Sequence, residues 1–303
     1  MRVVYFTAGT TGAGHVVRGI AIGRALNRAG FRGTYAMVGP RSLRVLAPRD
    51  YYGVTIDHDE LVDPERASSS ELARTLDLLA PDLLVVDMFW APLVRLLPRA
   101  ACEAWLLVRR APPAWLVGRA RMPFERAAYA RVIAIEPGVD AGEAIDPIVA
   151  VDRLEVLPAR ALRDRLGVAD AAKLDVVVQA GAPDEWRALV QDARGAVHVF
   201  TLGGARYDDV PANVRVHDDL FPLAPWLAGA DAITSGAGYN SFWEARWLGH
   251  AVRTRFIAFA RPIDDQAWRI RTHGDHTPRA NGADTLAVNI VGARAASELS
   301  SRS

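Results

Sequence analysis

The stretch Gly9-Thr10-Thr11-Gly12-Ala13-Gly14-His15 sets three glycines and an imidazole directly behind the apolar run Val3-Val4-Tyr5-Phe6. Glycines let a backbone come close to an anion, and a helix that starts there offers its free N–H groups. Gly12 and Gly14 therefore suit a phosphate or sugar cradle. His15, at the mouth of the turn, could take a proton from a hydroxyl or bind the sugar or diphosphate. A second turn, Ser235-Gly236-Ala237-Gly238, leads into Tyr239-Asn240-Ser241-Phe242-Trp243-Glu244. Ser235, Gly236, Ala237 and Gly238 at the bend, with Asn240 and Ser241 near the helix start, fit a diphosphate that gains from the dipole and the first-turn amides. Glu244 lies about one and a half turns further on, where a carboxylate could accept from both hydroxyls of a ribose, at about 1.5–3 kcal/mol per bond. Behind it, Arg261-Pro262-Ile263-Asp264-Asp265-Gln266 sets an acid beside an amide at a helix start. That pair can read neighbouring sugar hydroxyls.

Each feature has a purely structural counterpart. A glycine turn can serve only to seat a helix on a sheet, Glu244 can be a solvated helix residue, and Asp264 can be an N-cap. The first turn is not the dinucleotide fingerprint: its spacing differs, and the second strand ends in Met37-Val38-Gly39 with no acid for a ribose. Nor is it a P-loop, since no Gly-Lys-Ser/Thr follows.

Both turns need a strand before them and a helix after them. Short β-branched runs alternating with helical-period segments predict parallel strands joined by crossover helices. Expected strands are Arg2–Thr7, Gly33–Val38, Asp82–Asp87, Ala104–Val108 and Arg131–Ile135, with a helix over Gly14–Ala29. The second half repeats the plan with strands at Asp175–Gln179, His198–Leu202, Asn213–Val216, Ala230–Thr234 and Val252–Ile257. Its helices are expected to start near Pro183, Leu223, Tyr239 and Ile263. Pro137, Gly138, Gly142 and Pro147 mark a linker. The fold class is thus α/β, in two domains, residues 1–150 and 151–303.

The two signatures, with Asp264-Asp265-Gln266 behind them, resemble the GT-B glycosyltransferases that include the UDP-N-acetylglucosamine:lipid-linked muramyl-pentapeptide transferase and the monogalactosyldiacylglycerol synthases. The resemblance runs from Met1 to about Arg271. It implies two Rossmann-like domains facing a cleft, residues 1–150 on the acceptor side and 151–303 holding most of the donor nucleotide sugar, and no metal or other cofactor. By resemblance Glu244 grips the ribose, Gly236–Gly238 the diphosphate, and Asp265 and Gln266 the donor sugar. Leu220 and Phe221, in His217-Asp218-Asp219-Leu220-Phe221, match the segment that contacts the base, and His15 with Gly12–Gly14 sits by the reacting carbon. The implied donor is a UDP-hexose or UDP-N-acetylhexosamine; the acceptor, a small molecule or lipid-linked, is open. The sequence departs at Gln179-Ala180-Gly181-Ala182-Pro183, poorer in glycine than the family's turn, and its tail is short for a last helix that crosses back to the first domain. The stretch from Ala295 is small and polar, as a disordered end would be. Gly14-His15-Val16-Val17-Arg18 also resembles the G-H-x-x-R of small GT-B-fold UDP-sugar hydrolases, which use water as acceptor. A non-catalytic nucleotide-sugar-binding protein is the third alternative.

Composition narrows the partners. With 303 residues and a net charge of +1, the chain lacks the basic excess of a general nucleic-acid binder. Lys173 is the only lysine. One cysteine, Cys102, excludes an internal disulfide and fits a reducing compartment. Glycines from residue 9 interrupt any signal-peptide core, and no run of about 18 uncharged apolar residues occurs. A cytoplasmic protein is expected. Asp57-His58-Asp59 reads as a solvated turn, and His273-Gly274-Asp275-His276 as a loop after a helix lacking a third metal ligand. The aromatics and arginines of Met88–Phe124 could touch an anionic membrane surface, though core residues with a solvated arginine face explain them better.

Overall fold

A computed structural model describes residues 1–9, 13–40, 52–56, 70–119, 122–179, 183–190, 195–202 and 210–300. Two compact units emerge, Met1–Ile148 with Ala280–Ser303, and Val149–Arg279. Placing all of 151–303 in a second domain therefore needs correction, because the chain beyond Arg279 returns to the first unit.

The first unit holds strands β1 (Arg2–Phe6), β2 (Thr34–Gly39), β3 (Tyr52–Thr55), β4 (Leu83–Asp87) and β5 (Glu103–Val108). A two-stranded hairpin, β6 (Gly118–Arg119) with β7 (Met122–Pro123), precedes β8 (Arg131–Ala134) and β9 (Glu143–Ala144). Its main sheet is seven-stranded in the order β3-β2-β1-β4-β5-β8-β9, and every pairing is parallel. Helix α1 (Gly14–Arg28) follows β1, and α2 (Glu71–Leu79), N-capped by Ser70, precedes β4. Strand residues alternate between faces: Val4, Phe6, Ala36, Val38, Leu84, Val86, Leu106 and Val108 join one core. Tyr5 and Asp87 fall on the opposite face, which α1 covers; Tyr35, also on it, donates to the Gly19 carbonyl of α1 at 2.6 Å. Trp90 and Trp105 are core, while Arg95 and Arg99 are exposed.

The second unit holds α3 (Arg160–Leu166), β10 (Asp175–Val178), α4 (Pro183–Val190), β11 (Val197–Phe200) and β12 (Val214–His217). Then come β13 (Ala232–Gly236), α5 (Tyr239–Trp247), β14 (Thr254–Ile257) and α6 (Gln266–His273). Its sheet order is β12-β11-β10-β13-β14, again all parallel. Val176 and Phe200 pack on one face, Val177, Val197 and Val199 on the other. Both sheets therefore have doubly wound order, reversing at β1/β4 and at β10/β13.

Helix α7 (Gly282–Ser300) closes the first unit. Ala283, Leu286, Ala287 and Ile290 are buried at helical spacing, and Asp284 pairs with Arg28 of α1 at 2.6 Å. The expected disordered end is thus helical as far as Ser300. Two further expectations shift: a helix at Leu223 is a 3-10 turn, Ala224–Gly229, and α6 starts at Gln266 where Ile263 was expected. Asp57-His58-Asp59 lies outside the described residues. Among the described residues no helix is long and apolar enough to cross a membrane, and no group of three or more His, Cys, Asp or Glu could hold a metal.

Candidate functional site

In doubly wound sheets ligands bind beyond the carboxyl ends of the strands, where the order reverses. The first unit gathers a buried polar cluster there. Asp87 ends β4, and its Oδ2 accepts from Arg18 Nε at 2.9 Å and from the Tyr5 hydroxyl, while Oδ1 accepts from Arg18 Nη2 at 3.1 Å. His15 Nδ1 lies 2.9 Å from Asp87 Oδ2 and 2.6 Å from Arg18 Nη2. His15 and Arg18 reach the same carboxylate because positions i and i+3 share a helix face. Tyr5 arrives from β1 and also touches the His15 carbonyl at 2.7 Å. Asp87 is fully buried and Arg18 is 2% exposed.

Burial opposes ionisation of Asp87, but Arg18 and then His15 outweigh it and hold the carboxyl well below the usual carboxylate range. Burial drives the His15 pKa down to about 4, with Arg18 adding to the fall and Asp87 opposing it, so the ring is neutral at pH 7. Phe89 meets the imidazole edge-on at 5.0 Å and stands perpendicular to Trp115 at 5.7 Å.

Gly9 gives the ring its room. A Cβ there would meet His15 Cδ2 at 2.5 Å and Phe89 Cε2 at 3.2 Å. Since Asp87 and Arg18 fix the imidazole, Gly9→Ala is expected to cost about 1–3 kcal/mol, as overpacking does. Urea unfolding checks this, and wild-type stability in the variant would mean that the ring yields freely. Gly14 is the first residue of α1, whose N-cap Ala13 supplies no side-chain cap and whose first turn carries no acid. Gly12 lies outside the described residues.

The corresponding edge of the second unit carries the other predicted turn. Ser235 and Gly236 end β13, Ser235 donating to the Val178 carbonyl at 3.1 Å. Ala237 is buried, and Gly238 caps α5 with no side-chain hydrogen bond. A Cβ on Gly236 would strike Gln179 Oε1 at 2.5 Å, so the turn closes tightly on the end of β10. Gln179 in turn donates to Glu185, which forms a two-pronged pair with Arg261 through Nη1 and, at 2.6 Å, Nη2. Asn240 and Ser241 occupy the first turn of α5, both half-buried.

Glu244 is also half-buried. Burial raises its pKa to about 7 although the Ala150 amide, hydrogen-bonded to it, works the other way. The residue is thus partly withdrawn from water, more than a fully solvated helix position would be. Near α6 the roles shift by one residue: Asp265 caps the helix, accepting from Trp268 N at 2.9 Å. Asp264 instead binds Arg269 at 2.7 Å, and Arg269 donates to the Ala237 carbonyl at 2.7 Å. Gln266 turns inward, 4% exposed, its Oε1 accepting from Phe259 N at 2.9 Å. Leu220 is buried, and Phe221, half-buried, precedes a cis bond to Pro222.

Asp87, Tyr5, Glu185 and the pairing of Arg261 escape sequence reasoning. Only the placement of Asp87 at the carboxyl end of an otherwise apolar strand, Leu83-Leu84-Val85-Val86, signals it.

The fold is that of the GT-B glycosyltransferases, two Rossmann-like domains. The spinosyn rhamnosyltransferase SpnG superposes with a TM-score of 0.61 at 13% identity, over 94% of this chain and 88% of that one; SpnG has also been solved in complex with thymidine diphosphate. SnogD of Streptomyces nogalater, a glycosyltransferase, matches with a TM-score of 0.58 at 19% identity, over 93% and 87%. MurG of Acinetobacter baumannii matches with 0.54 at 14% identity, over 96% and 99%. No family model and no curated protein matches the sequence.

Proposed function

We propose that the chain is a metal-independent glycosyltransferase that moves a sugar from a nucleoside-diphosphate donor, a UDP-hexose or UDP-N-acetylhexosamine, to an acceptor hydroxyl. The observation carrying this reading is the pair of loci at the strand-order reversals: a glycine turn opening a helix in each sheet, beside a buried polar cluster in the first. In this reading Ser235, Gly236, Ala237 and Gly238, with Asn240 and Ser241, hold the diphosphate at the start of α5. Glu244 accepts from the ribose, Asp265 and Gln266 serve the sugar, and Leu220 and Phe221 flank the base. Gly12, Gly14 and His15 act at the reacting end. The protein works in the cytoplasm, with peripheral membrane contact if its acceptor is lipid-linked.

SpnG and the glycosyltransferase VinC are known with thymidine diphosphate, whose sugar lacks the 2′-hydroxyl. A Glu244 clamp on a ribose diol favours the uridine nucleotide. Hydrolysis is the second reading, favoured by Arg18, which completes the G-H-x-x-R stretch and sits in the polar cluster.

A thermal-shift series with UDP, thymidine diphosphate and UDP-sugars, with a chelator present, tests the proposal, because a ligand that binds only the native state raises its stability by RT ln(1 + [L]/Kd). UDP is expected to raise the melting temperature more than thymidine diphosphate. If no nucleotide acts, or only metal-supplemented samples respond, the proposal fails. Release of UDP without acceptor would favour the hydrolase.

A further inference from the structure

Arg269, on α6, is 0% exposed, a position that a guanidinium occupies only when its charge and its donors are met. Its Nη2 donates to Asp264 Oδ1 and its Nη1 to the Ala237 carbonyl, both at 2.7 Å, and it lies over the Tyr239 ring, 5.8 Å from the centroid. The bond to Ala237 ties α6 to the glycine turn before α5. Both backbone groups of Ala237 are thereby committed, since its amide donates to the Ile257 carbonyl of β14 at 2.8 Å. A planar trans peptide sets the C=O of one residue and the N–H of the next on opposite sides. With the Ala237 carbonyl drawn toward a buried guanidinium, the Gly238 amide points the other way. Gly238 is half-buried, a Cβ on it would meet nothing within 4 Å, and its amide makes no hydrogen bond among the described residues.

We propose that Arg269 is a positioning residue: by holding the Ala237 carbonyl inside the fold it turns the Gly238 amide outward, to donate to an oxygen of the donor's diphosphate. The ligand part rests on the transferase reading; the orientation rests on contacts within the second unit alone. Without the guanidinium the buried carbonyl has no partner, a cost that the turn escapes by rotating this peptide toward water. The same rotation carries the Gly238 amide away from the ligand.

Spectra of protein labelled with carbonyl-13C alanine and 15N glycine select the Ala–Gly peptides without any ligand, and Gly238→Pro identifies the 237–238 signal by its loss. The Gly238 amide is expected to exchange rapidly with water in wild type. In Arg269→Met/Asp264→Asn, which removes the cation and its counter-charge together, the Ala237 carbonyl signal should shift. A protected Gly238 amide in wild type, or an unmoved Ala237 signal in the double variant, overturns the proposal whether or not the protein transfers sugar. Calorimetry with UDP and with uridine tests the second part. The double variant is expected to bind UDP about tenfold more weakly while leaving uridine unchanged, as the loss of one bond to a charged oxygen does. Arg269→Lys, which keeps a cation, should retain more of the affinity. Gly238→Pro leaves Arg269 intact and removes the amide hydrogen; the φ of Gly238, −57°, lies in the range of proline. Its melting temperature should stay near that of wild type while its UDP affinity falls like that of the double variant, so it carries the test if the double variant fails to fold. Equal losses for UDP and uridine in the double variant, or wild-type UDP affinity in Gly238→Pro, overturn the assignment to the diphosphate. Failure of UDP to bind wild type would count against the transferase reading and leave the spectra to decide the orientation.

Discussion

Asp87→Asn is expected to cost the first unit about 3–5 kcal/mol, the loss seen when one partner of a buried ion pair is removed and the other stays charged without water. Asparagine preserves the shape but replaces one of two accepting oxygens by an NH2 group, so the loss combines the charge with one hydrogen bond from Arg18. Arg18, 2% exposed, would lose the carboxylate it pairs with at 2.9 Å. Urea unfolding of the single variant and of Arg18→Met/Asp87→Leu separates pairing from packing. Because an apolar replacement of a whole buried pair is often neutral, the double variant should recover much of the loss. The pH dependence has a definite sign. Asp87 has a depressed folded-state pKa, so its contribution is present above the unfolded carboxylate pKa, about 3.9, and is lost as pH falls through the folded value. Wild type should therefore lose its advantage over Asp87→Asn only in strong acid. A single variant within 1 kcal/mol of wild type, by the same linkage reasoning, would show that the carboxylate is not buried as described.

Glu244→Gln is expected to have opposite signs for stability and for binding. The folded pKa of Glu244 is raised to about 7, so its contribution is full below the unfolded value, about 4.3, and is lost as pH rises through 7. Near pH 3, below both values, the acid is protonated in the folded and the unfolded chain and is nearly equivalent to the amide, so the two proteins should unfold alike. Near pH 8 the wild type must hold a desolvated carboxylate, and the variant should be more stable by about 1–3 kcal/mol. If the carboxylate meets a ribose diol, the same variant binds UDP about ten- to a hundred-fold more weakly at pH 8. The wild-type advantage should grow about tenfold from pH 6 to pH 8 as the acid ionises. The nucleotide's own titration cancels in this ratio. A flat ratio, or equal discrimination against 2′-deoxy-UDP by both proteins, would leave Glu244 as a support for the Ala150 backbone alone.

Alternating β-branched runs and helical-period segments made the second sheet and five strands of the first legible, since a parallel strand buried on two faces reads as an unbroken apolar run; the short edge strands β3 and β9 lack such a run. The turns were legible because glycine before a helix start is a local signal. Contacts between residues distant in sequence were not. Asp87 and Arg18 are separated by 69 positions and meet only because β1 and β4 are neighbours with α1 above them. Tyr5 reads as one more apolar strand residue until its hydroxyl is placed. The sequence points to Asp264 as the N-cap, whereas Asp265 caps α6, because Arg269 engages Asp264, and that reach is not a local signal. Helix α7 was missed because alanine, glycine and asparagine give its apolar stripe little contrast with a loop.

The return of α7 to the first unit also sets an order of events during synthesis. The chain leaves that unit at Ile148 and re-enters at Ala280, where Asp146 accepts from the Ala280 amide at 2.8 Å and Gly282 donates to the Pro147 carbonyl at 3.0 Å. The second unit is thus an uninterrupted insertion, free to fold as soon as it clears the ribosome. The first unit must wait for its last helix, with the apolar side of α1 uncovered in the meantime. At roughly 5–20 residues per second, the 131 residues from Val149 to Arg279 hold the nascent unit open for about 7–26 seconds. That interval is when a chaperone has most to protect, and a nonsense mutation late in the reading frame would leave the first unit unfinished.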